Sequence, residues 1–137
     1  MQVKDVMTPD PVICPASTKV TDAAAMMRDR AIGDVLVGDQ GRLSGIITDR
    51  DLVVRVVAEM RDPSQVTLGE VCSGELTTVE ESCPVDEAVQ LMREHSLRRL
   101  PVVDNGRPVG IVTLGDLAVD LEPESALGEI SNAPPNS

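Results

Sequence analysis

The stretch Arg98-Arg99-Leu100-Pro101-Val102-Val103-Asp104-Asn105-Gly106-Arg107-Pro108-Val109-Gly110-Ile111-Val112-Thr113-Leu114-Gly115-Asp116 decides how the chain is read. It spells an apolar strand, a tight turn, a second apolar strand and a helix start. Asn105-Gly106 tolerates the positive φ that a two-residue hairpin turn needs. Thr113-x-x-Asp116 has the form of a capping box, in which the threonine and the acid satisfy the free N–H groups of a first helical turn. The same unit stands 65 residues earlier, as Val35-Leu36-Val37-Gly38-Asp39-Gln40-Gly41-Arg42-Leu43-Ser44-Gly45-Ile46-Ile47-Thr48-Asp49-Arg50-Asp51.

Working outward, the offset of 65 holds without a gap, and sixteen positions between 6 and 55 are identical to their counterparts. They include Val6/Val71, Ser17/Ser82, Met27/Met92, Arg28/Arg93, Gly45/Gly110, Thr48/Thr113 and Asp51/Asp116, so the chain is a tandem repeat. In the first copy, Val3–Met7 is one helical turn, broken by Pro9 and Pro11. Val12-Ile13-Cys14 is extended. Thr21 caps a helix over 22–30 whose buried face is Val20, Ala23, Ala24 and Met27, with Gly33 as its C-terminal break. Strands over 35–37 and 43–47 follow, and Thr48 caps a helix running from Asp51 to about Met60. That helix is apolar over most of its surface, more than a small lobe buries alone. Residues 61–67 are a polar linker. The second copy restarts at Leu68, with a strand over 76–79, a helix over 86–95 and a short helix from Asp116 to Leu121. Leu127-Gly128-Glu129-Ile130-Ser131 echoes Leu68-Gly69-Glu70-Val71 a third time and is expected to reuse the same packing notch. The last residues, 132–137, are expected to be disordered. The domain reading is therefore 3–60, linker 61–67, 68–122, and an extension over 123–137. Two small lobes with exposed apolar faces are expected to pack on each other with pseudo-twofold symmetry.

Composition narrows the function. The formal net charge is −11, which opposes nucleic-acid binding and docking on acidic membranes. The charge is uneven: residues 1–65 hold ten acidic and eight basic side chains, residues 66–137 thirteen and four. No apolar run is long enough to span a bilayer, and the N-terminus lacks a secretory pattern, so a cytoplasmic location is expected. Cys14, Cys72 and Cys83 have no metal-like spacing and the single His95 completes no zinc set, so the cysteines read as small hydrophobes. Phe, Tyr and Trp are absent, so a base can be held only between aliphatic side chains and read by backbone groups. Asp49 and Asp51 resemble a carboxylate pair, but Leu114 stands opposite Asp49 in the second copy, and no enzyme is expected.

The architecture resembles a pair of CBS domains, also called a Bateman module, over about residues 3–121. The family's Gly-hydrophobic-x-Thr-x-x-Asp ending stands here twice, as Gly45-Ile46-Ile47-Thr48-Asp49-Arg50-Asp51 and Gly110-Ile111-Val112-Thr113-Leu114-Gly115-Asp116. The stretches around Thr48–Arg55 and His95–Val102 look like those of stand-alone bacterial CBS-pair proteins, including small stress-related ones. The resemblance implies an α/β (α+β) fold of two β-α-β-β-α lobes and binding of an adenosine compound: AMP, ADP, ATP or S-adenosylmethionine. It implies that Asp51 and Asp116 hold ribose hydroxyls, and that Thr48 and Thr113 approach the ribose or phosphate. The strand entries Val12-Ile13 and Thr77-Thr78 would wall the base, while Arg50, Arg98 and Arg99 would meet phosphates. It also implies a homodimer that signals to an effector protein. Against all this stands a purely local role: Thr-x-x-Asp caps a helix without any ligand, contributing about 1 kcal/mol.

Overall fold

The structure is a computed structural model that describes residues 1–72 and 76–134. In chain order the elements are α1 (Val3–Val6), β1 (Thr8–Pro9), β2 (Ile13–Cys14), α2 (Val20–Arg30), β3 (Asp34–Asp39), β4 (Arg42–Thr48) and α3 (Asp49–Leu52). α3 runs directly into a π-helical turn, Val53–Val57. Then come α4 (Leu68–Val71), β5 (Val79–Glu80), α5 (Val85–His95), β6 (Arg99–Asp104), β7 (Arg107–Thr113), α6 (Leu114–Leu121) and α7 (Ala126–Asn132). The fold is α+β, with the β-α-β-β-α order appearing twice. No helix among the described residues is long and apolar enough to cross a membrane.

The chain forms two compact units whose composition is not that of the repeats read along the sequence. Val12–Leu76 make one unit, and Met1–Pro11 join Thr77 onward to make the other. In the first unit β2 pairs in parallel with β3, and β3 antiparallel with β4. In the second, β5 pairs in parallel with β6, β6 antiparallel with β7, and β1 adds antiparallel to β7 through Thr8 opposite Ile111. Each opening segment therefore serves the other repeat. Val3 and Val6 lie in the core with Val85, Leu100, Val102 and Val112, while Leu68 and Val71 seal the core of Val20, Val35, Val37 and Ile47. Both openings carry apolar residues at i and i+3, so the spacing reads alike for either seat.

Local sequence explains most element ends. Asn105 and Gly106 have φ of 51° and 84°, and Gln40 and Gly41 have 54° and 76°. Positive φ at both central positions is the mirror-image turn whose twist matches the flanking strands. Four expectations are corrected. Thr21 is not the cap of α2: the helix starts at Val20, whose N–H donates to Val66 O at 2.9 Å, and Lys19 bridges to Thr67. Backbone pairing thus replaces a side-chain cap. The helix closes on Ala31, left-handed at φ 53°, rather than on Gly33. Ala24 is exposed, because the buried stripe is the narrower set Val20, Ala23 and Met27. The strand expected over 76–79 is Val79–Glu80.

The third echo does not reuse the notch of α4. Gly69 of α4 sits against Ala16, where an added Cβ would lie 3.1 Å from the alanine methyl. Gly128 of α7 instead sits on Ala118 O of α6 and on the carbonyl of Glu122, just past the end of that helix. Asn132 of the expected disordered tail is the last residue of α7, and 135–137 lie outside the described residues.

All three cysteines are free thiols, and burial pushes each one's pKa up, with Glu87 adding to the rise at Cys83. Cys14 is buried, Cys72 and Cys83 half-buried. The thiolate is the nucleophile, so alkylation of the native protein near neutral pH should label Cys72 and Cys83 slowly and Cys14 only on unfolding. Mass spectrometry of timed iodoacetamide quenches checks this; prompt labelling of Cys14 would contradict its burial.

Candidate functional site

The two Thr-x-x-Asp turns sit where the last strand of each repeat becomes a helix. Thr48 ends β4 and Thr113 ends β7, both with extended backbone. In the first turn the Thr48 N–H donates to Asp51 Oδ2 at 2.9 Å, and the Asp51 N–H to Thr48 Oγ1 at 3.1 Å. In the second, the Thr113 N–H donates to Asp116 Oδ2 at 3.0 Å and the Asp116 N–H to Thr113 Oγ1 at 3.0 Å. The reciprocal capping box is therefore complete in both copies, and it fixes where each carboxylate points.

Sheet register brings most of the expected residues to the same end of each sheet. In the first unit Thr48 lies opposite Asp34, and Ile13 lies opposite Leu36 on the other side of β3. Val12 O accepts from the Leu36 N–H at 2.9 Å. The strand entry and the Thr48 turn are thus about two strand spacings, roughly 10 Å, apart. In the second unit Thr113 lies opposite Arg99, and Arg98 O accepts from the Leu114 N–H at 2.8 Å. Arg98-Arg99 therefore flank the second turn, as Gly33-Asp34 flank the first. Thr77-Thr78 lead into β5, whose Val79 lies opposite Val102 of β6. Arg50 is exposed; it is its backbone N–H that donates to the Asp49 carboxylate, at 2.8 Å.

Two further residues touch the carboxylates and were missed by the sequence reading. The Thr8 hydroxyl donates to Asp116, at 3.2 Å from Oδ1 and 3.3 Å from Oδ2. Arg55 places Nη2 3.8 Å from Asp51 Oδ1, while its Nη1 donates to Val71 O at 2.6 Å. Arg55 was legible as an i, i+4 partner of Asp51. Thr8 was not, because it reaches Asp116 across 108 positions of sequence. The counterpart of Arg55 in the second repeat is Asp120, so the two turns differ in charge one helical turn on.

No polar or charged side chain among the described residues is buried. Asp49 and Asp51 are both occupied as helix-turn acceptors. No three His, Cys, Asp or Glu side chains among the described residues converge to hold a metal ion.

The family model for the CBS domain matches the chain twice, over residues 3–58 and 68–122. The CBS domain-containing protein YhcV of Bacillus subtilis is 40% identical over 131 residues, covering 95% of this chain and 93% of its own. Among solved structures, Hypoxic Response Protein I with two coordinated zinc ions superposes with a TM-score of 0.78 at 35% identity, over 88% of this chain and 99% of its own. The CBS domain pair of MJ0100, in complex with 5′-methylthioadenosine and S-adenosyl-L-methionine, superposes with a TM-score of 0.80 at 28% identity, over 91% and 98%. Duplicated β-α-β-β-α architecture, paired Thr-x-x-Asp turns and these matches agree: the chain belongs to the CBS-domain family, as a tandem pair of regulatory, non-catalytic domains.

Proposed function

We propose that this pair is a sensor of an adenosine-bearing ligand (AMP, ADP, ATP or S-adenosylmethionine) that works as a homodimer and signals to an effector protein. The observation that carries the reading is the placement, in each unit, of a Thr-x-x-Asp turn and a strand entry at the same end of one sheet. A carboxylate with one oxygen committed to the cap keeps acceptor capacity on the other, enough for a ribose hydroxyl. Thr48 with Asp51, and Thr113 with Asp116, hold the ribose. Val12-Ile13 and Thr77-Thr78 lie where a base fits, and Arg50, Arg98 and Arg99 supply charge for phosphates. The ligands bound by MJ0100 are of this chemical class.

Titration calorimetry against the four ligands, with D51N and D116N alongside, tests it. Asparagine keeps one carbonyl oxygen for the cap but loses the charge and the second acceptor. A hydrogen bond to a charged group contributes about 1.5–3 kcal/mol, so the variant at the occupied turn should bind about 10- to 100-fold more weakly, with its unfolding midpoint nearly unchanged. No heat with any of the four ligands up to millimolar concentration, from a folded protein, would rule out the sensor and leave a scaffold or protein-interaction module.

A further inference from the structure

In the second unit, α7 lies against one face of α6: a Cβ on Gly115 would meet Ser131 Oγ at 2.8 Å, and one on Gly128 would meet Ala118 O at 3.0 Å. The neighbouring face of α6 borders an open groove between α5, α6 and the start of α7, about 490 Å³ in volume. Met92 of α5 and Leu117 of α6 line it and are themselves buried in the core. Leu114 and Leu121 of α6 and Leu127 of α7 also line it, and they are 46%, 51% and 44% exposed. A single exposed leucine is ordinary on a protein surface. Three that converge on one groove form an apolar patch of the kind that marks an interaction site.

The groove has the dimensions of a helix. Leu114, Leu117, Ala118 and Leu121 follow the i, i+3, i+4, i+7 spacing along α6, so they form one stripe, about 10 Å from end to end. That is two turns, the length over which a docked helix places its own i, i+3, i+4 and i+7 anchors. Met92 adapts its shape to what enters. Charge then selects the partner. α5 and residues 114–132 together carry eight acidic side chains, and Arg93 is their one Lys or Arg. Two copies of so acidic a face repel, whereas an apolar stripe flanked by Lys and Arg meets it with opposite charge.

We propose that this groove docks an amphipathic helix of a partner protein, with aliphatic anchors in the groove and Lys or Arg along both flanks. This gives the chemistry of the effector in the proposed function and rests on that reading for its role in signalling. Titration with the adenosine compounds reports the sensing step separately, so the two can fail independently.

The probe is a fluorescein-labelled peptide of about four helical turns, with leucine at i, i+3, i+4 and i+7 and lysine at the other positions. Fluorescence anisotropy should show saturable, micromolar binding to the full chain, with a gain in helical circular dichroism. Leu121→Lys, at an exposed position, removes an anchor and sets like charge against the peptide; binding should weaken about 10- to 100-fold. Gln65→Lys, exposed in the linker, adds the same charge elsewhere and should bind within about twofold of wild type. A peptide of equal composition, with its leucines scattered round the helix, should bind no better than the Leu121→Lys protein binds the amphipathic one. No binding of the amphipathic peptide would overturn the proposal. Equal weakening by both substitutions, or equal binding of the scattered peptide, would reduce the contact to net charge and overturn it too. A Leu121→Lys protein at half the wild-type mass in light scattering would assign the groove to a second copy instead.

Discussion

Val3→Asp should unfold the unit built on the second repeat while sparing the one built on the first. Val3 is fully buried, in the core that holds Leu100, Val102 and Val112. Its N–H already donates to Cys83 O at 2.8 Å, so the backbone there cannot swing out without losing that bond. Among the described residues no charged side chain is buried, so a carboxylate at this position has no cation in the core to pair with. Its desolvation costs several kcal/mol, roughly 3–5, against a total stability of about 5–15 kcal/mol for a small protein. Hydrogen exchange read peptide by peptide locates the damage. Protection should fall across β6 and β7, residues 99–113, more than across β3 and β4, residues 34–48. An equal loss, or one confined to 34–48, would contradict the exchange of opening segments.

The mirror experiment is Leu68→Ala. Leu68 stands at the head of the second repeat in sequence, yet it is fully buried in the core of Val35, Val37 and Ile47. Truncating a buried leucine costs about 2–5 kcal/mol, from lost transfer energy plus the cavity left behind. The loss should appear in the denaturant midpoint, and the exchange protection of residues 34–48 should fall first. Leu127→Ala is the matched control. It removes the leucine of the third Leu-Gly-Glu echo, whose side chain is 44% exposed, and should change stability by only about 0.5 kcal/mol. A Leu68→Ala protein as stable as Leu127→Ala would mean that α4 does not seal that core.

The sequence carried the repeat, the hairpins and the two capping boxes, because each of these is local. Asn105-Gly106 needs only its own φ angles, and Thr48-x-x-Asp51 only its own first turn. What stayed hidden depends on which segment meets which. Val3/Val6 and Leu68/Val71 have the same spacing and similar side chains, so nothing in either says that it packs with the distant repeat. Thr8 reaching Asp116 is hidden for the same reason. Thr21 has the residue type of a cap, but the helix needs none there, because Val66 O already accepts from the Val20 N–H. For the site, the residue types were legible one by one. Their convergence at one end of each sheet needed the register.

The exchanged opening segments also set the order of events during synthesis. Residues 12–76 are contiguous, so that unit has every strand and helix it needs once α4 has left the ribosome. The other unit begins with Met1–Pro11, which are made before the rest of either unit, and cannot close until β7 arrives to receive β1. Thr8 must wait for Asp116, 108 positions later. Contacts of such long sequence separation slow folding, because the loop must be closed before the contact repays it. The opening segment, with Val3 and Val6 still uncovered, is therefore the part of these two units that waits longest for its partners.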